Sequence, residues 1–266
     1  MRDERVRSET VVEGSDQNPA AGQTTPTGAV PTFSYPAHEQ VLPQLTEAFF
    51  REGCAVITGV LSAGEVKTLR AKTDEFAANL ATPKKHISYA GSTLILRRCH
   101  EMDPMFEALT TRESVRKIAE AVLGPDPRFN AMNVIRNERG QAISRWHVDD
   151  VVEFPLPPQI PRFDPRMRMP VFWMTIQIAL SDIDSLEHGA TQFVPTSHYS
   201  GRLPEGDNPV FEGLGPVAII CKAGDIYLTN HQCWHRGAPN LTDRTRYLMQ
   251  VQFAQRWADA RFKGLA

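Results

Sequence analysis

The chain of 266 residues lacks most of the features that would place it in several large functional classes. Its only cysteines are Cys54, Cys99, Cys221 and Cys233, without CxxC spacing, in a chain too long to depend on disulfide staples. A reducing compartment, the cytoplasm, is the expected setting. Net charge is almost absent, −2 from 29 basic and 31 acidic residues, so there is no general field to attract nucleic acid or anionic lipid. No apolar run approaches the roughly 18 residues of a membrane span, and the charged opening MRDERVRSET has no apolar stretch behind it. Neither a membrane segment nor a signal peptide is expected. Beyond Asp126 there is also no helix-length segment between β-rich runs, which argues against a parallel α/β sheet. What remains is an ordinary globular composition, 41% hydrophobic and 23% charged, suited to a small-molecule substrate and to either a monomer or a homodimer.

Residues 1 to 35, rich in Gly, Pro, Thr and charge, offer little to bury and are expected to be a disordered tail. A single domain, 36 to 266, should come next. Its first part, 37 to 124, reads as a helical layer: an apolar stripe from Val41 to Phe49, the short buried strand CAVITGVL, a helix opened by the capping box Ser62/Glu65, and a helix from about Arg112 closed by Gly124-Pro125. From 126 to 257 the texture changes to short runs rich in β-branched and aromatic residues, RFNAMNVIRN, AISRWHV, VFWMTIQIAL, TQFVP, VAIICK, DIYLTN and RYLMQVQFA. The expected fold is α+β, mainly β: a jelly-roll barrel covered by an N-terminal helical layer. A Pro- and Arg-rich insertion, 152 to 170, has the length and composition of a functional lid.

Chemistry concentrates in two places. In RWHVDD, His147 and Asp149 lie two residues apart, so a strand would project both from one face and Asp150 from the other. Imidazole and carboxylate on one face are two of the three ligands of the facial triad that holds Fe(II) and leaves positions open. Downstream, Ala223-Gly224-Asp225 forms a turn, a strand leads to Trp234-His235, a Gly-Ala-Pro-Asn turn reverses the chain, and Arg246 comes on the last strand. A guanidinium there can hold a carboxylate through two parallel charge-assisted bonds.

The order HxD, GATQFVPTSH, AGD and WHRGAPNLTDRTR resembles the phytanoyl-CoA dioxygenase family of Fe(II)/2-oxoglutarate oxygenases, and REGCAVITGVLSAGEVKTLRA resembles that family's opening strand and helix. The likeness runs from about residue 40 to 255. It implies a double-stranded β-helix, a metal triad of His147, Asp149 and His235, and Arg246 on the distal carboxylate of 2-oxoglutarate. It further implies O₂ as co-substrate, decarboxylation of 2-oxoglutarate to succinate and CO₂, and oxidation of a small organic metabolite, with specialised natural-product biosynthesis the favoured setting. A carboxylate at Asp149 favours hydroxylation, desaturation or cyclisation over halogenation, since related halogenases carry Gly or Ala there. Gln177 and Asn133 fall near positions where relatives contact 2-oxoglutarate. Gly237 stands where the family often has a serine, and Thr245 or a water is a candidate replacement for its hydroxyl.

Blander roles compete with each of these. An isolated HxD is more often a strand end and a turn acid, and Arg246 could be an ion-pair partner of Asp243 or Asp225. His86, His100, His188, His198 and His231 read as structural or as groups that support the ligands from behind. Trp146, Phe154, Arg97, Arg166 and Arg168 are candidates for a substrate pocket, although aromatics are more often core and arginines more often solvated. Two rivals to the oxygenase come from other classes: a non-catalytic jelly-roll binding protein, and a cupin-like isomerase or epimerase that uses a divalent metal without oxygen.

Overall fold

The computed structural model describes residues 30–35 and 38–262. In chain order the elements are β1 (Thr32–Ser34), α1 (His38–Glu52), β2 (Cys54–Thr58), α2 (Ala63–Ala78), β3 (Ile87–Ala90), β4 (Thr93–Arg97), α3 (Pro104–Thr111), α4 (Glu113–Leu123), β5 (Arg128–Asn137), β6 (Ile143–His147), β7 (Trp173–Ala179), β8 (Thr191–Phe193), β9 (Val217–Ala218), β10 (Ile226–Thr229), β11 (His235–Gly237), β12 (Arg246–Ala254) and α5 (Asp259–Phe262). The strands form an eight-stranded sheet, β1-β2-β10-β7-β12-β5-β4-β3, facing a four-stranded sheet, β6-β11-β8-β9. That alternation of strands between two sheets is the jelly roll.

Strand periodicity divides the side chains between two cores. On the large sheet Met132, Val134, Met174, Ile176, Ile178, Leu228, Met249 and Val251 face the helices, where they meet Leu45 and Phe49 of α1 and Val115 and Ile118 of α4. Each such buried side chain contributes about 1.5–3 kcal/mol. The opposite face points into the barrel: Val56, Ile135, Ala179, Tyr227 and Leu248 close one end of it with Phe193 and Ile183. A third cluster, Trp146, Val148, Met169, Val194, Tyr199, Phe211 and Trp234, lies on the outer side of the small sheet and anchors the insertion.

The helical segments begin and end where local chemistry dictates. Ser62 and Glu65 form the reciprocal capping box of α2, and Gly124, with φ +88°, stops α4. Gly224 is forced: at φ +95° a Cβ would stand 2.4 Å from the Leu61 carbonyl oxygen.

Two expectations change. The tail expected over 1 to 35 lies outside the described residues up to position 29, but its end is ordered, because Thr32–Ser34 pairs in parallel with β2 at Val56–Thr58. The layer expected to be helical over 37 to 124 also contains the β3–β4 hairpin, which joins the large sheet through β4–β5 pairing, Arg97 opposite Asn133. LILRR carries too few alternating polar residues for period 2 to reveal it.

The insertion is docked, not free. Arg202 donates to the carbonyl oxygens of Pro157, Pro158, Ile160 and Pro161, and backbone bonds join Leu156 to Gly201 and Phe163 to Tyr199. One guanidinium thus satisfies a proline-rich stretch that could not pair as a strand.

Candidate metal and co-substrate site

His147 ends β6 and His235 opens β11, and the two are cross-strand partners. Asp149 lies just beyond β6, where its N–H donates to the His231 carbonyl at 2.8 Å. The three ligand atoms all lie within 4.8 Å of one another. Asp149 Oδ1 is 3.5 Å from His235 Nε2 and 3.9 Å from His147 Nε2. Each imidazole is locked by the carbonyl two residues before it: His147 Nδ1 donates to the Arg145 carbonyl at 2.8 Å and His235 Nδ1 to the Cys233 carbonyl at 2.9 Å. A carbonyl can only accept, so Nδ1 carries the hydrogen and the Nε2 lone pairs are left for a metal.

Electrostatics agree with that arrangement. Burial, reinforced by the nearby His235, lowers the pKa of His147 and keeps it neutral. Burial works to raise Asp149, but His235 and His147 outweigh it and hold the carboxyl below its ordinary value. For His235, burial works downward and the charge and hydrogen bond of Asp149 prevail, raising it. Two nitrogens and one ionised oxygen on one side of a point, with the other side open, fit Fe(II) with sites left for exchangeable ligands.

Further into the barrel lies Arg246. It is 3% exposed, its guanidinium donates to Thr191 Oγ1 at 3.1 Å, and its Nε has no partner. Among the described residues it makes no ion pair. Asp243 is taken by Arg139, and Asp225 accepts from the backbone of Gly59 and Lys222. A buried cation without a counter-charge costs several kcal/mol, so the structure has a place for a carboxylate that it does not itself supply. The turn that delivers Arg246 is organised by Asn240, fully buried, whose amide donates to the carbonyls of Asn137 and Arg244.

The remaining candidates separate. Asn133 and Gln177 both face the barrel and flank Gln250 in register, forming a row of three amides across β5, β12 and β7. Gln177 Oε1 is buried and unpartnered. Arg97 extends this row at β4, its Nε donating to Ser88. The other proposed contacts lie elsewhere. Trp146 alternates with His147 and so points outward, its indole donating to the Asp207 carbonyl and its ring under Arg236. Phe154 packs on Phe172 beside Phe163 and Met169. Arg166 pairs with Asp164, and Arg168 pairs with Glu47 while stacking on Phe50. Thr245 lines a separate surface cavity of about 310 Å³ with Arg70, Ser181, Asp182, His188, Arg244 and Tyr247. Strand alternation turns it away from Arg246.

The hydroxyl beside the guanidinium belongs instead to Thr191, which is the register partner of Gly237 on the neighbouring strand. Sequence reading misses it because the pairing of β8 with β11 is not written in either segment. Gln250 and Gln252 are missed as well, although counting by twos from Arg246 puts both on its face.

The profile of the phytanoyl-CoA dioxygenase (PhyH) family matches residues 49–248. The chain belongs to that family. A curated relative, phytanoyl-CoA dioxygenase domain-containing protein 1 of Bos taurus, is 24% identical over 259 residues, covering 77% of this chain and 87% of its own. Among solved structures the fold matches SnoN, the non-heme alpha ketoglutarate dependent epimerase from nogalamycin biosynthesis, with a TM-score of 0.64 and 21% identity over 82% of this chain and 84% of that one. HygX from Streptomyces hygroscopicus, solved with nickel and 2-oxoglutarate bound, also has a TM-score of 0.64, with 18% identity over 80% and 87%. SnoK, an alpha ketoglutarate dependent carbocyclase from the same nogalamycin biosynthesis, has a TM-score of 0.61, with 20% identity over 80% and 83%. In this PhyH chain the HxD pair, His235 and Arg246 of WHRGAPNLTDRTR, and Thr191 of GATQFVPTSH are the parts of the family motifs that meet in the barrel.

Proposed function

We propose that the protein is an Fe(II)- and 2-oxoglutarate-dependent oxygenase that hydroxylates a small organic metabolite in natural-product biosynthesis. The observation that carries this reading is the pairing of two incomplete groups in one barrel: a three-ligand N,N,O face with open positions, and, deeper inside, the guanidinium of Arg246 with no counter-ion among the described residues. Family membership and the metal- and 2-oxoglutarate-bound state of HygX support it. SnoN and SnoK extend the same fold to an epimerase and a carbocyclase of nogalamycin biosynthesis.

In this reading His147, Asp149 and His235 hold the iron, and Arg246 with Thr191 holds the distal carboxylate of 2-oxoglutarate. Iron with 2-oxoglutarate and O₂ supplies the oxidising power to remove a hydrogen atom from an unactivated carbon. The protein's own contribution is orientation. The carbonyls of Arg145 and Cys233 fix both imidazole tautomers, while the apolar end formed by Phe193, Ile183 and Leu248 excludes water from one side. The amide of Gln177, its oxygen buried and unpartnered, stands beside Gln250 in register and is available to the co-substrate or a polar substrate group.

The test is turnover of 2-oxoglutarate to succinate by the Fe(II)-loaded protein with and without O₂. Oxygen-dependent succinate that disappears in Asp149→Ala is the expected result. Activity on a substrate under strict anaerobiosis would instead establish a metal-dependent isomerase, and no turnover in any condition would leave a binding protein. Once a substrate is found, a product heavier by one oxygen atom indicates hydroxylation; loss of two hydrogens or unchanged mass indicates desaturation or epimerisation.

A further inference from the structure

Asp149 has a problem that the two histidines do not. His147 and His235 sit on paired strands, so the ladder fixes their backbones, but β6 ends at His147 and Asp149 hangs beyond it. The next residue, Asp150, turns the chain through a left-handed conformation with φ +59°. Asp tolerates that region better than most residues, yet such a kink persists only where its surroundings hold it.

Past the kink, the chain is fastened to the turn that precedes His235. Gln232 Oε1 accepts from the Glu153 N–H at 3.0 Å, and Gln232 Nε2 donates to the Val151 carbonyl at 2.9 Å. One side-chain amide therefore bonds two backbone groups of the 151–153 segment, as a neighbouring strand would. Beside it, the Glu153 carboxylate stands 3.0 Å from His231 Nε2, an approach bent away from an ideal hydrogen bond. His231 is 1% exposed and Glu153 9% by side chain, and Trp173 packs against the imidazole at 5.3 Å between ring centroids. The loop closes through the metal face itself, because the His231 carbonyl accepts the Asp149 N–H.

We propose that Gln232 and Glu153 are positioning residues for the Asp149 carboxylate: together they clamp the chain on the far side of the Asp150 kink to the 231–232 turn and so fix the direction of the third metal ligand. The proposal rests on the reading of His147, Asp149 and His235 as metal ligands. It also gives the start of the insertion a role in the site, since Glu153 is part of both. Neither residue contacts the metal; each acts through Asp149.

The experiment is titration of the metal-free protein with Co(II), read by its visible absorption, which reports both affinity and ligand geometry. Gln232→Ala and Glu153→Ala should each lower affinity about 10- to 100-fold, the usual range for groups that orient a metal ligand, and change the spectrum. Glu153→Gln, which keeps the length and an acceptor oxygen, should restore most of it. Arg202→Ala, which loosens the same insertion further along at 157–161, should bind as the parent does. Wild-type affinity and spectrum in both clamp variants, or an equal loss in Arg202→Ala, would overturn the proposal. Asp149→Ala separates the two levels of argument: if it too binds Co(II) normally, the metal site itself is wrong.

Discussion

His147 and His235 are direct cross-strand partners on β6 and β11, with ring centroids 4.3 Å apart. They lie far apart in the chain, and a single antiparallel pairing brings their Nε2 atoms to one point. Asp149 is reached by continuing along the same strand direction, while Asp150 turns outward and pairs with Arg261. Asp149→Ala should therefore lose metal affinity by two orders of magnitude or more, and Asp150→Asn, which still tolerates the left-handed backbone, should retain it. Equilibrium titration with Co(II) or Fe(II) distinguishes them, and the reverse pattern would mean that the strand register is shifted by one residue.

Arg246 carries a two-sided prediction. Arg246→Met removes a buried charge that has no counter-charge among the described residues, so thermal stability of the ligand-free protein should hold or rise. The same change removes the counter-charge for a carboxylate, worth about 2–4 kcal/mol, and should raise the 2-oxoglutarate KM about 30- to 1,000-fold. Melting temperature and succinate formation, measured on one preparation, check both halves.

Thr191 and Gly237 are opposed across β8 and β11, and only Thr191 carries a hydroxyl. Thr191→Val should weaken 2-oxoglutarate binding about 10- to 20-fold, the worth of one hydrogen bond to a charged group at the low end of its range. A serine added at 237 should recover part of that loss. A Cβ at that position meets nothing closer than Ile143 at 3.6 Å, so Thr191→Val with Gly237→Ser is expected to fold and to bind better than Thr191→Val alone. Calorimetric titration of the iron-loaded variants is the measurement.

His198 predicts acid sensitivity. It is buried against the Phe50 carbonyl, and burial pushes its pKa down from 6.5 to about 4. The unfolded chain binds its proton first as pH falls, so the stability linked to a neutral His198 is complete above pH 6.5 and is lost between there and pH 4, up to about 3 kcal/mol. His198→Gln should show a shallower decline in urea midpoint over that window. An identical slope in parent and variant would contradict it.

RWHVDD, the WHRGAPNLTDRTR block and the GATQFVPTSH segment are readable because they combine residue types that one chemistry needs with the periodicity of strands. Period 2 separates Asp149 from Asp150, and the apolar stripes locate α1, α2 and α4, with the Ser62/Glu65 cap and the Gly124 stop marking the last two. Reading fails where the answer lies in another segment. Trp146 does not belong to the pocket, and its alternation with His147 already turns it outward. Thr191, not Thr245, has its hydroxyl beside Arg246, and only strand pairing reveals that β8 passes there. Arg168 of the insertion is a candidate for an anionic substrate only until the fold supplies Glu47 as its partner, whereas Arg166 pairs with Asp164 inside the insertion itself.

The sequence by itself determined which groups could form a metal and carboxylate site, since ligand chemistry depends on residue type and strand periodicity is local. Tertiary structure alone decided which of them meet: the pairing of β6 with β11 sets the two imidazoles together, and the placement of β8 beside β11 gives Arg246 its hydroxyl. It also decided that Arg246 is left without a counter-ion among the described residues. Charge balance in a buried site depends on every strand that lines it, and no single stretch of the chain contains that information.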